Sequence, residues 1–440
     1  MFNSVTQRIS VWRQNPLLRN AGWMLAGQGL SVVMQAGYFV LLVRLLGPEH
    51  YGVFVGAFAF VAIAAPYASM GSGTLFMRHV GMDRRNLEVY LGNILLSSVC
   101  IGTFFVLALR LLAPLVLNPA SASLVLLLGL ANCIFAQLVS GVSQVFQAFE
   151  RLKITALLSL LVNSLRFLAV LAMTYVLHRA TAYQWTVASV VISCISALIG
   201  LALVFALVGR PRLHFRTFLR RIPEGFGFSL GGSAQSVYND VDKTLLSHYG
   251  LNLANGIYTT AYRVVDIATL PITALDAAAL PRYFNESADQ QGVIALALRL
   301  GKKAAGMGLV VSAALFASAN LLPLILGNSF EQSASALRWL SILPALRGWH
   351  QLTGSAIAGL GFQRYRTTVQ FSVSGLNLVL NLWLIPRFGW IGAAWASIAS
   401  DGAICVLNGL VIQRIGNHHP STPAPAVPVP KPSTTIGAEE

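Results

Sequence analysis

Ala21-Gly-Trp-Met-Leu-Ala-Gly-Gln-Gly-Leu-Ser-Val-Val-Met-Gln-Ala-Gly-Tyr-Phe-Val-Leu-Leu-Val43 runs for 23 residues without a charge. A helix needs about 20 such residues to cross the hydrocarbon of a bilayer. The run exceeds the roughly 7–15 apolar residues of a secretory signal. It therefore predicts an uncleaved first transmembrane helix, preceded by a basic segment holding Arg8, Arg13 and Arg19. Similar runs recur along the chain and predict twelve spans: 21–45, 51–77, 89–112, 121–147, 154–177, 182–208, 223–247, 254–279, 304–326, 334–358, 367–386 and 389–413.

Composition supports this. Of 440 residues, 55% are hydrophobic and 10% are charged, against about 25% charged in a soluble domain. A soluble enzyme, a secreted disulfide scaffold and a disordered protein are excluded. The net charge of +15 would suggest nucleic acid in a soluble chain. Here the basic residues sit in short connections between spans, so membrane orientation explains them and no nucleic-acid partner is expected. Cys100, Cys133, Cys194 and Cys405 lie in apolar stretches without metal-ligand spacing. They are expected to be small buried apolar residues rather than disulfides.

Lys and Arg set the direction. With the N-terminus in the cytoplasm, inside segments hold 21 of the basic residues and outside loops hold five, Arg44, Arg110, Arg179, Lys243 and Arg387. Both termini are then cytoplasmic in a multi-pass protein of the inner membrane. The expected layout is a basic N-terminus at 1–20, a six-helix lobe at 21–208, a basic cytoplasmic linker at 209–222, a second six-helix lobe at 223–413 and a Pro-rich cytoplasmic tail at 414–440. His418-His419 in that tail is expected to be a solvated pair and not a metal site.

An internal repeat divides the chain evenly. Gly52-Val-Phe54, Phe58 and Pro66 are echoed by Gly256-Ile-Tyr258, Tyr262 and Pro271, with the glycines 204 residues apart. Six spans separate the copies, so both halves start on the same side and the repeat is parallel. Gly52 and Gly256 are expected at close helix packing. The loose pairs Gly71-Ser-Gly73 and Gly225-Phe-Gly227 are also read as packing residues.

Ionisable groups at membrane depth cost about 2.5–3.5 kcal/mol each on insertion scales, so each needs a reason. Arg166, Arg263, Asp266, Arg347, His350 and Asp401 all fall roughly 14–24 Å into their spans at about 1.5 Å per residue. Arg263 and Asp266 are three apart and can pair locally. Asp240 and Lys243 are read as another local pair near the end of the seventh span, with Asp242 pointing away. Arg166 and Arg347, with His350 on the face of the latter, have no acid within a turn. Unpaired positive charge there implies a water-filled cavity for an anion such as a phosphate. The substrate-binding candidates are Arg166, Arg347, Arg263 and His350. Asp401 and Asp266 are the candidates for carrying a coupling proton or sodium ion. There is no phosphate-binding glycine loop, metalloprotease motif or paired-cysteine metal site. Neither an enzyme nor a bound cofactor is therefore expected; the energy would come from an ion gradient, the membrane potential or the substrate's own gradient.

Leu45-Leu-Gly-Pro-Glu-His-Tyr-Gly-Val-Phe54, Leu324-Ile-Leu-Gly327, Ala334-Ser-Ala-Leu-Arg-Trp-Leu340 and Gly359-Leu-Gly-Phe-Gln-Arg-Tyr-Arg366 together carry a resemblance. It continues through Asn377-Leu-Val-Leu-Asn381 and Leu384-Ile-Pro-Arg-Phe-Gly-Trp-Ile-Gly-Ala-Ala394, and includes Asp242-Lys243-Thr-Leu-Leu246 with Gly256-Ile-Tyr258. In this order they resemble the polysaccharide and O-antigen flippases of the multidrug/oligosaccharidyl-lipid/polysaccharide exporter superfamily. The resemblance implies an all-α integral membrane fold of twelve transmembrane helices in two pseudo-twofold-related six-helix lobes. It also implies a central cationic cavity for the head of a polyprenyl-diphosphate-linked oligosaccharide, whose tail stays among membrane lipids while the lobes rock. Other polysaccharide assembly proteins are the partners it suggests. The chain departs from the pattern in one way: its first lobe has only Arg166 at depth. The competing functions are an ion-coupled multidrug exporter, a lipid II flippase, and a membrane polymerase or ligase. The last would need a large catalytic outer loop, and the longest such connection is about ten residues, near Leu109–Ser121.

Overall fold

The computed structural model describes residues 16–417 apart from 83, 178, 286 and 288. The basic segment up to residue 15, the Pro-rich tail from 418 and His418-His419 lie outside the described residues. Within the described residues the elements are all helices, with no strand.

Among the described residues, eight helices are long and apolar enough to cross a membrane. The first, Pro16–Ala68, makes two passes, because Gly47 leaves the helical backbone at φ 70° and ψ 168°. Glycine enters that left-handed region without a Cβ clash. Phe39 and Tyr51 consequently meet edge to face at 6.3 Å, where a straight helix would hold them about 18 Å apart. The second pass breaks at Met70 and Gly71, both at positive φ, and resumes as Ser72–Met82.

The third and fourth passes each contain a π-helical turn, Ser97–Ile101 and Leu130–Phe135. The fifth and sixth are Leu152–Leu177 and Ala182–Leu207, the latter opened by a capping box between Thr181 and Gln184. Three more charged helices supply the seventh, ninth and tenth passes: Phe215–His248, Gln290–Ser318, and Glu331–Leu340 continuing as Leu343–Gly359. With Asn252–Asn285, Gln363–Phe388 and Trp390–Asn417 the passes number twelve.

Several expected boundaries shift. The linker is not free chain to residue 222: the His214 ring accepts from the Thr217 amide and starts the seventh-pass helix at Phe215. The ninth helix begins at Gln290, capped by Asp289, instead of at 304. Its Arg299, Lys302 and Lys303 point outward, so helix continues where hydropathy ends. It also stops at Ser318, with 321–326 forming a separate short helix. The first helix already starts at Pro16, and the last runs to Asn417. The connection near Leu109–Ser121 shrinks to two residues, because helix extends through Val116 and resumes at Pro119. All four cysteines are free, but only Cys133 is buried, and Cys100 faces outward.

Each half has its own apolar core. Val61, Leu109 and Leu128 lie in one cluster of the first six passes and Phe76, Ile94 and Phe146 in another. Ile272, Ala297, Leu352 and Ile412 share a cluster in the last six. Another cluster joins Tyr51 to Leu246, Ile257 and Leu337 and binds the halves at the Gly47 end.

The pseudo-twofold is visible in that junction. A Cβ on Gly52 would sit 1.8 Å from the Asn252 carbonyl oxygen, and one on Gly256 would sit 1.8 Å from the Pro48 carbonyl oxygen. Pro48 and Asn252 are related by the same 204-residue shift as the glycines. Reciprocal contacts of this kind are what a twofold produces. Small residues allow the approach. Beside it, Asn118 Nδ2 donates to the Ser247 carbonyl oxygen at 2.7 Å and to Asn252 Oδ1 at 2.8 Å. At the opposite end the seventh-pass helix reaches across to the first half. Glu224 pairs with Arg78 at 3.1 Å. One glycine of each expected pair meets there, a Cβ on Gly225 lying 1.9 Å from the Met70 carbonyl oxygen and one on Gly71 3.1 Å from the Gly225 carbonyl oxygen, whereas Gly73 packs on Gln144 and Gly227, expected to pack, has nothing within 4 Å.

Candidate functional site

Between the halves lies a cavity of about 480 Å3, within the 300–1,000 Å3 usual for small-molecule sites. All six residues singled out by depth line it: Arg166 from the fifth pass, Arg263 and Asp266 from the eighth, Arg347 and His350 from the tenth, and Asp401 from the twelfth. Arg166 and Arg347 thus face one space from opposite lobes.

The electrostatics differ from the expectation at Arg347 and His350. Arg347 is not unpaired: its Nη1 donates to Asp266 Oδ1 at 2.9 Å and its Nη2 to the Tyr262 hydroxyl at 2.6 Å. Its Nε lies 3.5 Å from Asp401 Oδ2. His350 Nε2 is 3.5 Å from Asp401 Oδ1, which also accepts from the Tyr238 hydroxyl. Separations of 3.5 Å are electrostatic contacts, too long for good hydrogen bonds; Asp401 Oδ2 is accordingly buried without a hydrogen bond. The Arg347 side chain is only 11% exposed. Its acids come from the eighth and twelfth passes, and inspection of one helix face cannot reveal a partner on another helix.

Asp242 and Lys243 also differ from expectation. Asp242 does not point away: it is buried, lies 3.1 Å from Lys243 Nζ, and accepts from the Tyr258 hydroxyl at 2.5 Å. Lys243, counted as an outside-loop charge, lines the cavity with Asp240 and sits 4.5 Å over the Tyr262 ring. The expected pair of Lys243 with Asp240 is present at 3.9 Å, and Asp242 joins it.

Two cations remain available. Arg263 is loosely held, 3.8 Å from Asp266 with 47% of its side chain exposed. Arg166 makes no hydrogen bond or ion pair among the described residues. The lining cations Arg166, Lys243, Arg263 and Arg347 face the carboxylates of Asp240, Asp266 and Asp401. The site is therefore a largely neutralised ionic wall facing a guanidinium that has no partner among the described residues, able to receive a small anion but not strongly cationic.

The family model described as "Polysaccharide biosynthesis protein" matches residues 17–287. The chain belongs to this family. No curated protein matches it in sequence. Among solved structures, an inward-facing multidrug resistance MATE family transporter of the MOP superfamily is similar with a TM-score of 0.71 at 15% identity, covering 89% of this chain and 99% of that one. The lipid II flippase MurJ in an inward closed conformation gives 0.69 at 12% identity, covering 89% and 87%. A MOP superfamily transporter from Pyrococcus furiosus, described as having reversed polarity in its binding pocket, gives 0.61 at 14% identity, covering 91% and 96%. This member of the polysaccharide biosynthesis family is thus a multi-pass membrane protein with the MOP transporter fold, twelve helices in two pseudo-twofold-related six-helix lobes.

Proposed function

We propose that the protein flips a polyprenyl-diphosphate-linked oligosaccharide from the cytoplasmic to the outer leaflet of the inner membrane, by rocking its lobes about the central cavity. The observation that carries this is Arg166, without a partner among the described residues, in a cavity between the lobes of a polysaccharide-biosynthesis family member. A sugar-diphosphate head cannot enter hydrocarbon unaided, because its charges and hydroxyls would lose water without replacement. Guanidinium forks grip two phosphate oxygens at once, so Arg166 and the half-exposed Arg263 are the diphosphate ligands of this scheme. Arg347 and His350, held by acids, organise the opposite wall. Rocking about a midplane site exposes the head on the other side without opening a pore.

The test is transport in liposomes of purified protein, together with lipid extraction after gene deletion. Lipid-linked oligosaccharide then accumulates on the inner leaflet while surface polysaccharide falls. Unchanged lipid intermediates combined with new drug sensitivity would move the assignment to multidrug efflux, a reading that the three carboxylates of the cavity would favour.

Two expectations accompany the proposal. The basic asymmetry supports an outside location for the Gly47 end and a cytoplasmic one for both termini and the segment joining the lobes. A reporter active only outside the membrane, fused after Arg216, should be silent; strong activity would reverse the topology. Asp401 and Asp266 are proposed as the coupling acids, with Asp401 first because Asp266 is shared between two arginines. Asp401→Asn should insert normally yet lose gradient-driven transport in vesicles, and retained coupling would remove Asp401 from that role.

A further inference from the structure

The two walls of the cavity are chemically unlike. The second lobe contributes the charges Asp240, Lys243, Arg263, Asp266, Arg347 and Asp401, set among neutral groups such as Asn239 and Gln351. On the first lobe, among the described residues, Arg166 is the one charged lining residue and the rest of that wall is neutral. It sets the amides of Gln35 and Asn132 and the hydroxyls of Ser189 and Ser193 beside the partly exposed ring of Phe54, which is backed by the buried Trp185. Those rings meet edge to face at 6.5 Å.

Local structure leaves these polar groups ready to accept. Asn132 lies in the π-helical turn Leu130–Phe135, a feature that often marks a functional site. Its Nδ2 is tied to the Leu128 carbonyl oxygen at 2.9 Å, which fixes the amide and leaves Oδ1 free. The Ser189 hydroxyl donates to the Trp185 carbonyl oxygen at 2.9 Å, so its lone pairs remain for a ligand. Ser193 follows one turn later on the same face of the sixth pass. Gln35 makes no hydrogen bond among the described residues.

A diphosphate does not call for such a wall, and an isoprenoid chain would leave the amides without partners. A hexopyranose matches both parts. Its hydroxyls and acetamido group need neutral donors and acceptors, and its apolar C–H face packs on aromatic rings. We infer that the wall of Gln35, Asn132, Ser189 and Ser193 with the Phe54 ring is a subsite for an uncharged sugar ring of the lipid-linked glycan. The inference rests on the flippase reading and assigns the sugar to the first lobe.

The test compares two probes on the full-length protein in detergent: a polyprenyl diphosphate, and the same lipid carrying one N-acetylhexosamine. Binding is followed by native mass spectrometry. The wild type should bind the sugar-bearing lipid about tenfold more tightly, as a few net hydrogen bonds supply. Asn132→Leu and the double variant Ser189→Ala/Ser193→Ala should each cut that preference to about threefold or less, with only a small change for the bare lipid. The serine variant removes two oxygens and no packing volume, so it guards against a folding defect in Asn132→Leu. A preference intact in both variants overturns the subsite. Equal weakening of both lipids in both variants overturns it too, since the wall would then hold the diphosphate. If neither lipid binds the wild type, the flippase reading itself fails.

Discussion

Arg166→Ala should lower transport of the lipid-linked oligosaccharide at least about tenfold. A charge-assisted hydrogen bond contributes about 1.5–3 kcal/mol, and about 1.4 kcal/mol is a factor of ten. Arg166→Lys should do less damage, because the charge stays while the two-pronged grip is lost. Thermal stability should be unchanged in both, since Arg166 has no partner among the described residues to leave behind. Arg347 provides the contrast. Its removal leaves Asp266 to Arg263 alone and takes the one arginine from the fully buried Asp401, which keeps only His350 and Tyr238 among the described residues, and breaking a buried pair costs about 3–5 kcal/mol. Arg347→Ala should therefore melt early and insert poorly. Normal transport by Arg166→Ala in liposomes would remove the diphosphate-binding role. Equal melting losses in the two variants would show that Arg166 also has a structural role.

That contrast marks where sequence stops being informative. The depth of Arg166 and Arg347 followed from position in an apolar run, and the structure brings both into one cavity. Their partners did not follow, because a carboxylate two passes away in order becomes a neighbour only after the helices pack. Lys243 shows the same limit: it looked like an interfacial charge, yet Asp242, Tyr258 and Tyr262 enclose it. The ninth and seventh helices began earlier than expected because hydropathy reports the membrane, whereas helix continues into charged turns capped by Asp289 and His214. Asn132 and Ser189 gave no signal at all, being ordinary small polar residues in apolar helices until the π-helical turn and the cavity place them. The repeat, by contrast, was legible because close packing restricts residue size, and glycine at 52 and 256 records that restriction directly.

Gly52→Ala should stall the transport cycle by preventing closure at the Gly47 end. The added methyl would stand 1.8 Å from the Asn252 carbonyl oxygen and 2.7 Å from the Gly256 amide nitrogen. Both are backbone atoms, so no side-chain rotation relieves the clash and the helices must separate. Overpacking of this kind costs about 1–3 kcal/mol. In a protein poised between two states, a cost of about 2 kcal/mol borne by one of them shifts their ratio roughly thirtyfold. Gly256→Ala meets the Pro48 carbonyl oxygen at the same 1.8 Å and should behave alike. Gly375→Ala has nothing within 4 Å and should transport normally. Spin labels at His50 and Leu253, exposed residues on either side of the junction, would report the separation by pulsed dipolar spectroscopy. The expected result is a distance distribution moved to longer values in Gly52→Ala and Gly256→Ala, with substrate binding retained and transport lost. An unchanged distribution with full transport would mean that the glycine crossing yields locally and does not govern which end is closed.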